Sequence, residues 1–461
     1  MKAEARNESP TAGAAAVAAD ASPAARAAAE QLEVLGFSLR ERTERPLTIL
    51  GLMPWRALWS MGRGAGATAF MRSPVALAAR GHALHVLHPA PRGETADYGF
   101  GGVHFHRFRA PDVFSNPNLI LPARLWERLW RYHAFQFLLA RRGLALGREL
   151  RPDLVIGYGV MTAPAARRVA DRLGAPLVGR YFGNTLSLAL GRRWRWYGNF
   201  MERRGFRVPV EAMVMTNDGS PILEVFRRLG VDPRPIHFLR NGLPADVFTP
   251  GPRPRVLLER LGLASDAFVV MSVTRLHSEK RLDRLVRALA ALRRRAPQAV
   301  AVLVGEGAER AALERLAQEQ GVADAVRFAG AVRNVELPDW YRLADVVVSL
   351  LDRTNASNPV FEAMACERCV LALDVGTTNE IVRADETGVL VPAAGPEEQR
   401  VARIAAELAA LAVDPQRRAR LGRAARPFIL ERCGTWEARM RREYEIVEAV
   451  GRTGAVVAGN V

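Results

Sequence analysis

The sequence predicts an α/β fold built as two doubly wound parallel domains facing a central cleft. Three observations carry this. Strand and helix patterns alternate through residues 45–392, and the alternation is interrupted near its middle by a Pro- and Arg-rich segment. Both halves contain an apolar strand that breaks into a polar turn and then enters an amphipathic helix. At 461 residues the chain exceeds one ordinary core, so two domains of roughly 150–200 residues each are the natural division.

The elements follow in order. Residues 1–44 are rich in Ala with Glu, Asp, Ser and Pro; their apolar run ends at Asp20, too short for a secretory core, so they read as a disordered leader. The first domain, 45–248, opens with a strand at 47–52, a turn carrying Gly64 and Gly66, a helix to Ala79 and a strand at 83–87. Further strands are expected at 153–158, 176–179 and 211–216, with a helix at 163–173. Residues 249–256 read as the linker. The second domain, 257–430, has strands at 268–273, 299–304, 325–328, 345–350, 369–373 and 388–391. The pattern turns purely helical from Glu397, and 431–461 are expected to form a crossover helix and tail.

Composition narrows the function classes. No run of 18 uninterrupted apolar residues suggests a spanning helix, so a soluble, cytoplasmic protein is expected, and the segments that interleave Arg with aromatics suggest work at the inner membrane face. Three cysteines exclude a disulfide framework, and the Cys366/Cys369 pair lacks a second ligand pair for zinc. A net charge of +17, from 65 Lys and Arg against 48 Asp and Glu, favours an anionic partner. Nucleic acid, a phospholipid surface and a phosphorylated small molecule all satisfy that condition, and a G+C-rich genome accounts for part of the arginine.

Two segments carry the chemistry. Arg275 and Lys280 lie five positions apart where a strand hands over to a helix, beside Thr274, so that both cations can reach one diphosphate. Glu362 follows Pro359 by three positions on the first turn of its helix, with Val360 between them and Asn355, Ser357 and Asn358 before. A helix start favours anions through its dipole and open N–H groups, and a carboxylate there also suits a ribose diol. Taken singly, these residues would read as surface charges and helix caps; their place at strand and helix ends favours the functional reading. Gly305 and Gly307 allow close backbone approach or a tight turn; Gly64 and Gly66 do the same where they open a helix.

Two further segments interleave Arg with aromatics. Residues 124–132 read equally as an amphipathic helix burying Leu125, Trp126 and Leu129, or as an interface. Residues 192–197 have too few aliphatics for a core helix, so Trp194, Arg195 and Trp196 are expected to contact an anionic or lipid-linked partner.

Taken together, these residues resemble the retaining glycosyltransferases of family four, whose fold is GT-B. The likeness rests on Gly64-Ala65-Gly66, Leu77 to His82, Asn241-Gly242-Leu243 with Asp246 and Phe248, and Val273 to Leu276 with Lys280. It continues through Val304 to Gly307, Phe328-Ala329-Gly330, Glu362 to Cys366 and Glu380-Ile381-Val382. The resemblance implies that Arg275 and Lys280 clamp the diphosphate of a nucleotide-sugar, that Glu362 binds its ribose, and that the segment from Arg327 to Val332 lies beside the base. The nucleotide-sugar is then a co-substrate, and no cofactor is expected. A glycan or lipid-linked acceptor enters from the first domain, on the side of Tyr158 and Asn184, and the helix around Trp436 crosses back onto that domain.

Departures from the family pattern are plain. Thr354 stands where the family often carries a second glutamate, with Asn355 beside it as a neutral substitute. Arg180 to Asn184 stands where a histidine is usual, and Glu367-Arg368-Cys369 replaces small residues. No Asp-x-Asp occurs, so catalysis without a metal is expected, with electrostatic stabilisation of the leaving diphosphate as the main effect. The competing readings are a dinucleotide-dependent oxidoreductase, which lacks G-x-G-x-x-G after a first strand, and a degenerate binder of membrane or nucleic acid. Nucleic acid is the less favoured partner.

Overall fold

The structure, a computed structural model, describes residues 42–55, 69–90, 96–113, 122–191, 193–217, 220–354 and 356–460. The expected leader falls almost wholly outside these residues, as do Gly64, Gly66 and Asn355; the backbone of 193–195 is described without its side chains.

The first lobe is an eight-stranded sheet. Its strands are β1 (Thr48–Leu52), β2 (Ala83–Pro89), β3 (Tyr98–Phe100), β4 (Val103–Phe108), β5 (Leu154–Tyr158), β6 (Leu177–Tyr181), β7 (Ala212–Thr216) and β8 (Ile236–Leu239). Their order is β3-β4-β2-β1-β5-β6-β7-β8, parallel throughout except for β3 against β4. The second lobe has six parallel strands: β9 (Phe268–Val273), β10 (Ala299–Val304), β11 (Val326–Gly330), β12 (Val346–Ser349), β13 (Cys369–Asp374) and β14 (Val389–Pro392). They run in the order β11-β10-β9-β12-β13-β14. Helices cover both faces of each sheet, which is why β5 to β7 and β9 to β13 are near-continuous apolar runs rather than alternating ones. Sequence reading missed β3, β4 and β8. β3 has three residues with a central glycine, β4 is interrupted by His104 and His106, and β8 has four residues just after Pro235.

In each sheet the chain reverses direction at one place, between β1 and β5 and between β9 and β12. Crevices open at such switch points, outside the carboxyl ends of the strands. β9 and β12 pair only at Val270/Val346 and Met271/Val347, whereas β9 and β10 pair along their full lengths, so the β9–β12 ends part.

The helices that matter below are α1 (Ala69–Ala79), α2 (Pro122–Leu150), α3 (Ala163–Leu173), α4 (Leu282–Arg293), α5 (Asn358–Ala365), α6 (Glu397–Val413), α7 (Pro415–Cys433) and α8 (Trp436–Thr453). α7 packs on α5 and β13 of the second lobe, whereas α8 packs on α1, β6 and β7 of the first. The chain turns between them at Gly434, φ 65°, and the Thr435 side chain caps α8 by accepting from the Ala438 N–H at 3.2 Å. A helix starting at Arg255 takes up the end of the segment read as a linker.

α8 is held by buried charge. Arg180 Nε donates to both oxygens of Glu443 at 3.1 Å, and Ser73 and Arg439 donate to the same carboxylate. Burial alone would raise the Glu443 carboxyl, but Arg180 and Arg439 hold it at about 2, against an ordinary 4.5. One turn further on, Glu448 accepts from Arg80 at 2.9 Å and Arg452 at 2.8 Å, and His82 Nε2 lies 3.2 Å from the same carboxylate.

A depressed carboxyl contributes stability above its unfolded value and loses it as pH falls through its folded value. The difference in melting temperature between the native protein and Glu443→Gln is therefore expected to be largest near neutrality. It should shrink as pH falls from about 4.5 towards 2, the interval set by the shift. Melts at several pH values check this; a gap that stays constant with pH contradicts it.

Candidate active site

The carboxyl end of β9 becomes a tight loop. Thr274 N–H bonds to Val304 O at 2.9 Å, Leu276 N–H to Glu306 O at 3.0 Å and Lys280 N–H to His277 O at 2.8 Å. Gly305 and Gly307 are packed against this loop. A Cβ on Gly305 would sit 1.9 Å from Thr274 O and one on Gly307 2.2 Å from Leu276 O, and Gly305 also has φ +137°. Their role in this geometry is to let two strand-end loops touch, which fixes the backbone that carries Arg275 and Lys280.

Lys280 is half-buried and Arg275 is exposed. The Lys280 ammonium lies below its ordinary range, chiefly through burial. Glu279 opposes this, while the nearby positive charges of Arg275 and Arg353 add to it. Arg353 was not singled out from the sequence. It follows β12 and also faces Glu279 at 3.7 Å. The preceding residue, Asp352, is anchored by Arg281 at 2.8 Å and by the fully buried Arg284 at 2.6 Å, and both arginines also bind Glu397 at the start of α6. This network ties the loops after β9 and β12 together and sets three cations at one strand-end crevice. The sequence signal for Arg353 was its position, next to Thr354 in the loop opposite Arg275.

α5 begins at the same crevice. Ser357 precedes it with extended backbone, its carbonyl accepting from Val360 N–H at 3.0 Å, and Pro359 occupies the first turn, where its missing N–H costs nothing. Asn358 Oδ1 accepts from Asn241 Nδ2 at 3.1 Å, a bond from the end of the first lobe to the start of α5. Glu362 Oε2 accepts from the Tyr341 hydroxyl at 2.8 Å. Burial raises the Glu362 carboxyl, while Tyr341 and the charge of Arg72, on α1, act against that. Arg72 stacks on Trp436 at 3.9 Å, and its own value falls to about 10, mainly through burial. Arg72 therefore brings a charge of the first lobe to bear on Glu362, an interaction the sequence did not reveal.

Facing these groups is a pocket of about 320 Å³. It is lined by Trp55 after β1, Gly159 to Met161 after β5, Phe182 to Thr185 after β6, Phe70, Glu202 and, from the second lobe, Arg353. Trp55 stacks on Phe70 at 4.3 Å, and Phe182 meets both edge-on. Glu202 accepts from Thr185 N–H at 2.9 Å and Leu186 N–H at 2.9 Å; burial raises its carboxyl, these donors and Arg353 lower it. A larger recess of about 630 Å³ beside β4 is lined by none of the residues singled out from the sequence and lies apart from the strand-end crevice.

Several expected site residues lie elsewhere. Arg327 is in the first half of β11, with Nε bonded to Leu261 O at 2.9 Å and Nη1 to Asp324 O at 2.6 Å, so it braces backbone away from the crevice. Val332 follows β11 and packs, partly buried, on the cluster around Phe361. Tyr158 is fully buried against Gly51 and belongs to the core. Trp196 is also buried, with Arg228 stacked on its ring at 4.1 Å; its own lobe, rather than a partner, covers it. Asn184 does reach the pocket, with Nδ2 bonded to Ser220 Oγ at 2.8 Å.

Comparison with known proteins gives this geometry a family. The family model described as glycosyl transferases group 1 matches residues 256–428, and that described as glycosyl transferase 4-like domain matches 63–242. The chain belongs to the group 1 glycosyltransferases. Among its relatives is D-inositol 3-phosphate glycosyltransferase 2 of Catenulispora acidiphila, 34% identical over 41% of this chain and 46% of that one. Another is the GDP-mannose-dependent alpha-(1-6)-phosphatidylinositol monomannoside mannosyltransferase of Mycobacterium tuberculosis, 33% identical over 42% and 51%. The chain spans about half the length of these curated relatives. Sucrose-phosphate synthase of Thermosynechococcus elongatus superposes with a TM-score of 0.65 at 20% identity, over 87% of this chain and 99% of that one. Anabaena HepE in complex with UDP and glucose gives 0.64 at 18%, over 87% and 100%. At these identities the likeness is one of fold, which is GT-B.

Gly305→Ala and Gly307→Ala are each expected to cost about 2 kcal/mol or more of stability, because backbone rather than a flexible side chain must move. Thermal melts that match the native protein would remove the glycines' role in holding the Arg275 loop.

Proposed function

We infer that the protein is a retaining, metal-independent glycosyltransferase that moves a sugar from a nucleotide-diphosphate sugar to a glycan or lipid-linked acceptor. The observation that carries this reading is the convergence of Arg275, Lys280 and Arg353 with the start of α5 at the β9–β12 switch point, across from an aromatic pocket of the first lobe. In the transfer, the C1–O bond to phosphate breaks and its electron pair goes to the diphosphate. The cations and the dipole of α5 are already placed to take up the developing charge, so little reorganisation is needed as it forms. The acceptor oxygen bonds to C1 from the same face, and its proton leaves with the departing phosphate.

Each part of the site has a task in this reading. Glu362, oriented by Tyr341, holds the ribose. The rings of Trp55, Phe70 and Phe182 offer an apolar floor for the C–H face of an acceptor sugar or cyclitol, and Asn184 and Glu202 offer it polar contacts. The named activities of the relatives, on inositol phosphate and phosphatidylinositol mannoside, and the UDP bound by HepE, support a nucleotide-sugar donor and an acceptor of this chemical kind. A lipid-linked acceptor places the work at the cytoplasmic membrane face. No helix among the described residues is long and apolar enough to cross a membrane.

Arg275→Ala and Lys280→Ala are each expected to weaken nucleoside-diphosphate binding by about 1.5–3 kcal/mol, roughly tenfold to more than a hundredfold. Calorimetric titration with UDP and GDP measures this, and an unchanged isotherm for either variant would remove that residue from the clamp. Transfer by protein treated with EDTA is expected to equal that of untreated protein. Activity lost to the chelator and restored by Mg²⁺ or Mn²⁺ would falsify the metal-free account.

A further inference from the structure

Helix α2 exposes side chains that a folded domain ordinarily covers. Trp126 is 75% exposed, Trp130 65% and Phe137 61%. At about 100° per residue the three fall within about 40° of one another, a single stripe roughly 16 Å long. The opposite face is fully used: Tyr132, Phe135 and Leu139 are buried, and Gly143 and Gly147 let the helix lie against Val169, Leu173, Leu50 and Leu52. One exposed apolar residue needs no explanation, but an aligned row of large aromatics marks an interaction surface.

The position of the stripe narrows its partner. Gln136 Nε2 donates to Met161 O at 2.6 Å, and Met161 lines the interlobe pocket. α2 runs back against β1 and β2, so its first turns lie on the carboxyl side of the sheet. Trp130 and Trp126 extend about 9 to 15 Å past Gln136 on that side. His133, Arg141 and Arg148 share the exposed face, Glu127 at its edge is paired with Arg131, and the whole chain carries +17. Indole rings settle at the depth of lipid headgroups, and arginines further along the same face meet anionic phosphates.

We propose that the Trp126/Trp130/Phe137 stripe of α2 docks the first lobe on an anionic bilayer, with the pocket mouth turned to the lipid surface. This deepens the lipid-linked acceptor reading, yet it is tested without turnover. Full-length protein is floated with vesicles of phosphatidylcholine alone and with vesicles that also contain phosphatidylglycerol. Binding is expected to the anionic vesicles, and the combined Trp126→Ser, Trp130→Ser and Phe137→Ser variant is expected to lose it by on the order of tenfold or more. The variant should keep the native melting temperature and UDP or GDP affinity, since none of these residues lines the site. Native protein that fails to float, or a variant that floats as well, overturns the proposal. So does a native dimer in sedimentation velocity that the variant turns into monomer, because a second copy would then be what covers the stripe. Vesicle binding without any nucleotide affinity would instead sink the transferase reading and leave the docking face standing.

Discussion

The cleft exists only while α8 stays seated on the first lobe, and that seat is built around one buried carboxylate. Two chain crossings join the lobes, one leaving β8 and one entering α8. They touch each other: Leu243 N–H bonds to Gly434 O at 3.0 Å, and a Cβ on Gly242 would sit 2.4 Å from the Trp436 backbone. Everything beyond this double crossing relies on Glu443, enclosed by Arg180, Arg439 and Ser73. A buried ion pair adds little net stability over a well-packed apolar pair, but breaking one half leaves a charge that nothing solvates. What such a cluster supplies is position: α8 has one register in which Glu443 meets its partners, and that register places Trp436 beneath Arg72.

From there a run of charge leads to the site. Arg439 depresses Arg72, while Glu362 supports it. Glu362 is the fifth residue of α5, one turn deeper than the first-turn position expected from Pro359, so the brace and the strand-end crevice meet through Arg72. The same economy explains how the chain manages with Thr354 in place of a second glutamate. The Thr354 hydroxyl accepts from Ala356 N–H at 3.2 Å, and the loop after β12 is anchored two residues earlier by Asp352 between Arg281 and Arg284. What the loop then presents to the cleft is the cation of Arg353 rather than a carboxylate.

Much of the fold was legible because parallel strands covered on both faces must be apolar throughout, and runs such as 268–273, 299–304 and 369–373 announce themselves. Edge strands announce themselves less. β4 alternates buried Val103 and Phe105 with exposed His104, and its polar half hid a period that was present. Of the strand-end crevice, Arg275, Lys280 and Asn358 could be placed from sequence because each sits where a strand or helix ends, and ends are visible as breaks in pattern. Arg72, Glu202 and Arg353 could not, since their relevance comes from which strands are neighbours, and strand order is not written in any local run.

The two aromatic segments show the limit most clearly. By composition, residues 192–197 looked like surface and 124–132 looked at least partly like core. Burial reversed this at Trp196, which is buried, and at Trp126 and Trp130, which are exposed. Trp196 lies in a short helix whose neighbours Phe206, Phe226 and Ile222 come from distant sequence, so its apolar surroundings are supplied by tertiary contact alone. α2 is long and could satisfy its inner face without Trp126 and Trp130, since Tyr132, Phe135, Leu139 and two close-packed glycines already fill the contact with the sheet and α3. A helix of 29 residues against strands of five or six overhangs the layer beneath it. The overhanging turns have no sheet to pack on, and the aromatics they carry are left for whatever lies outside the lobe.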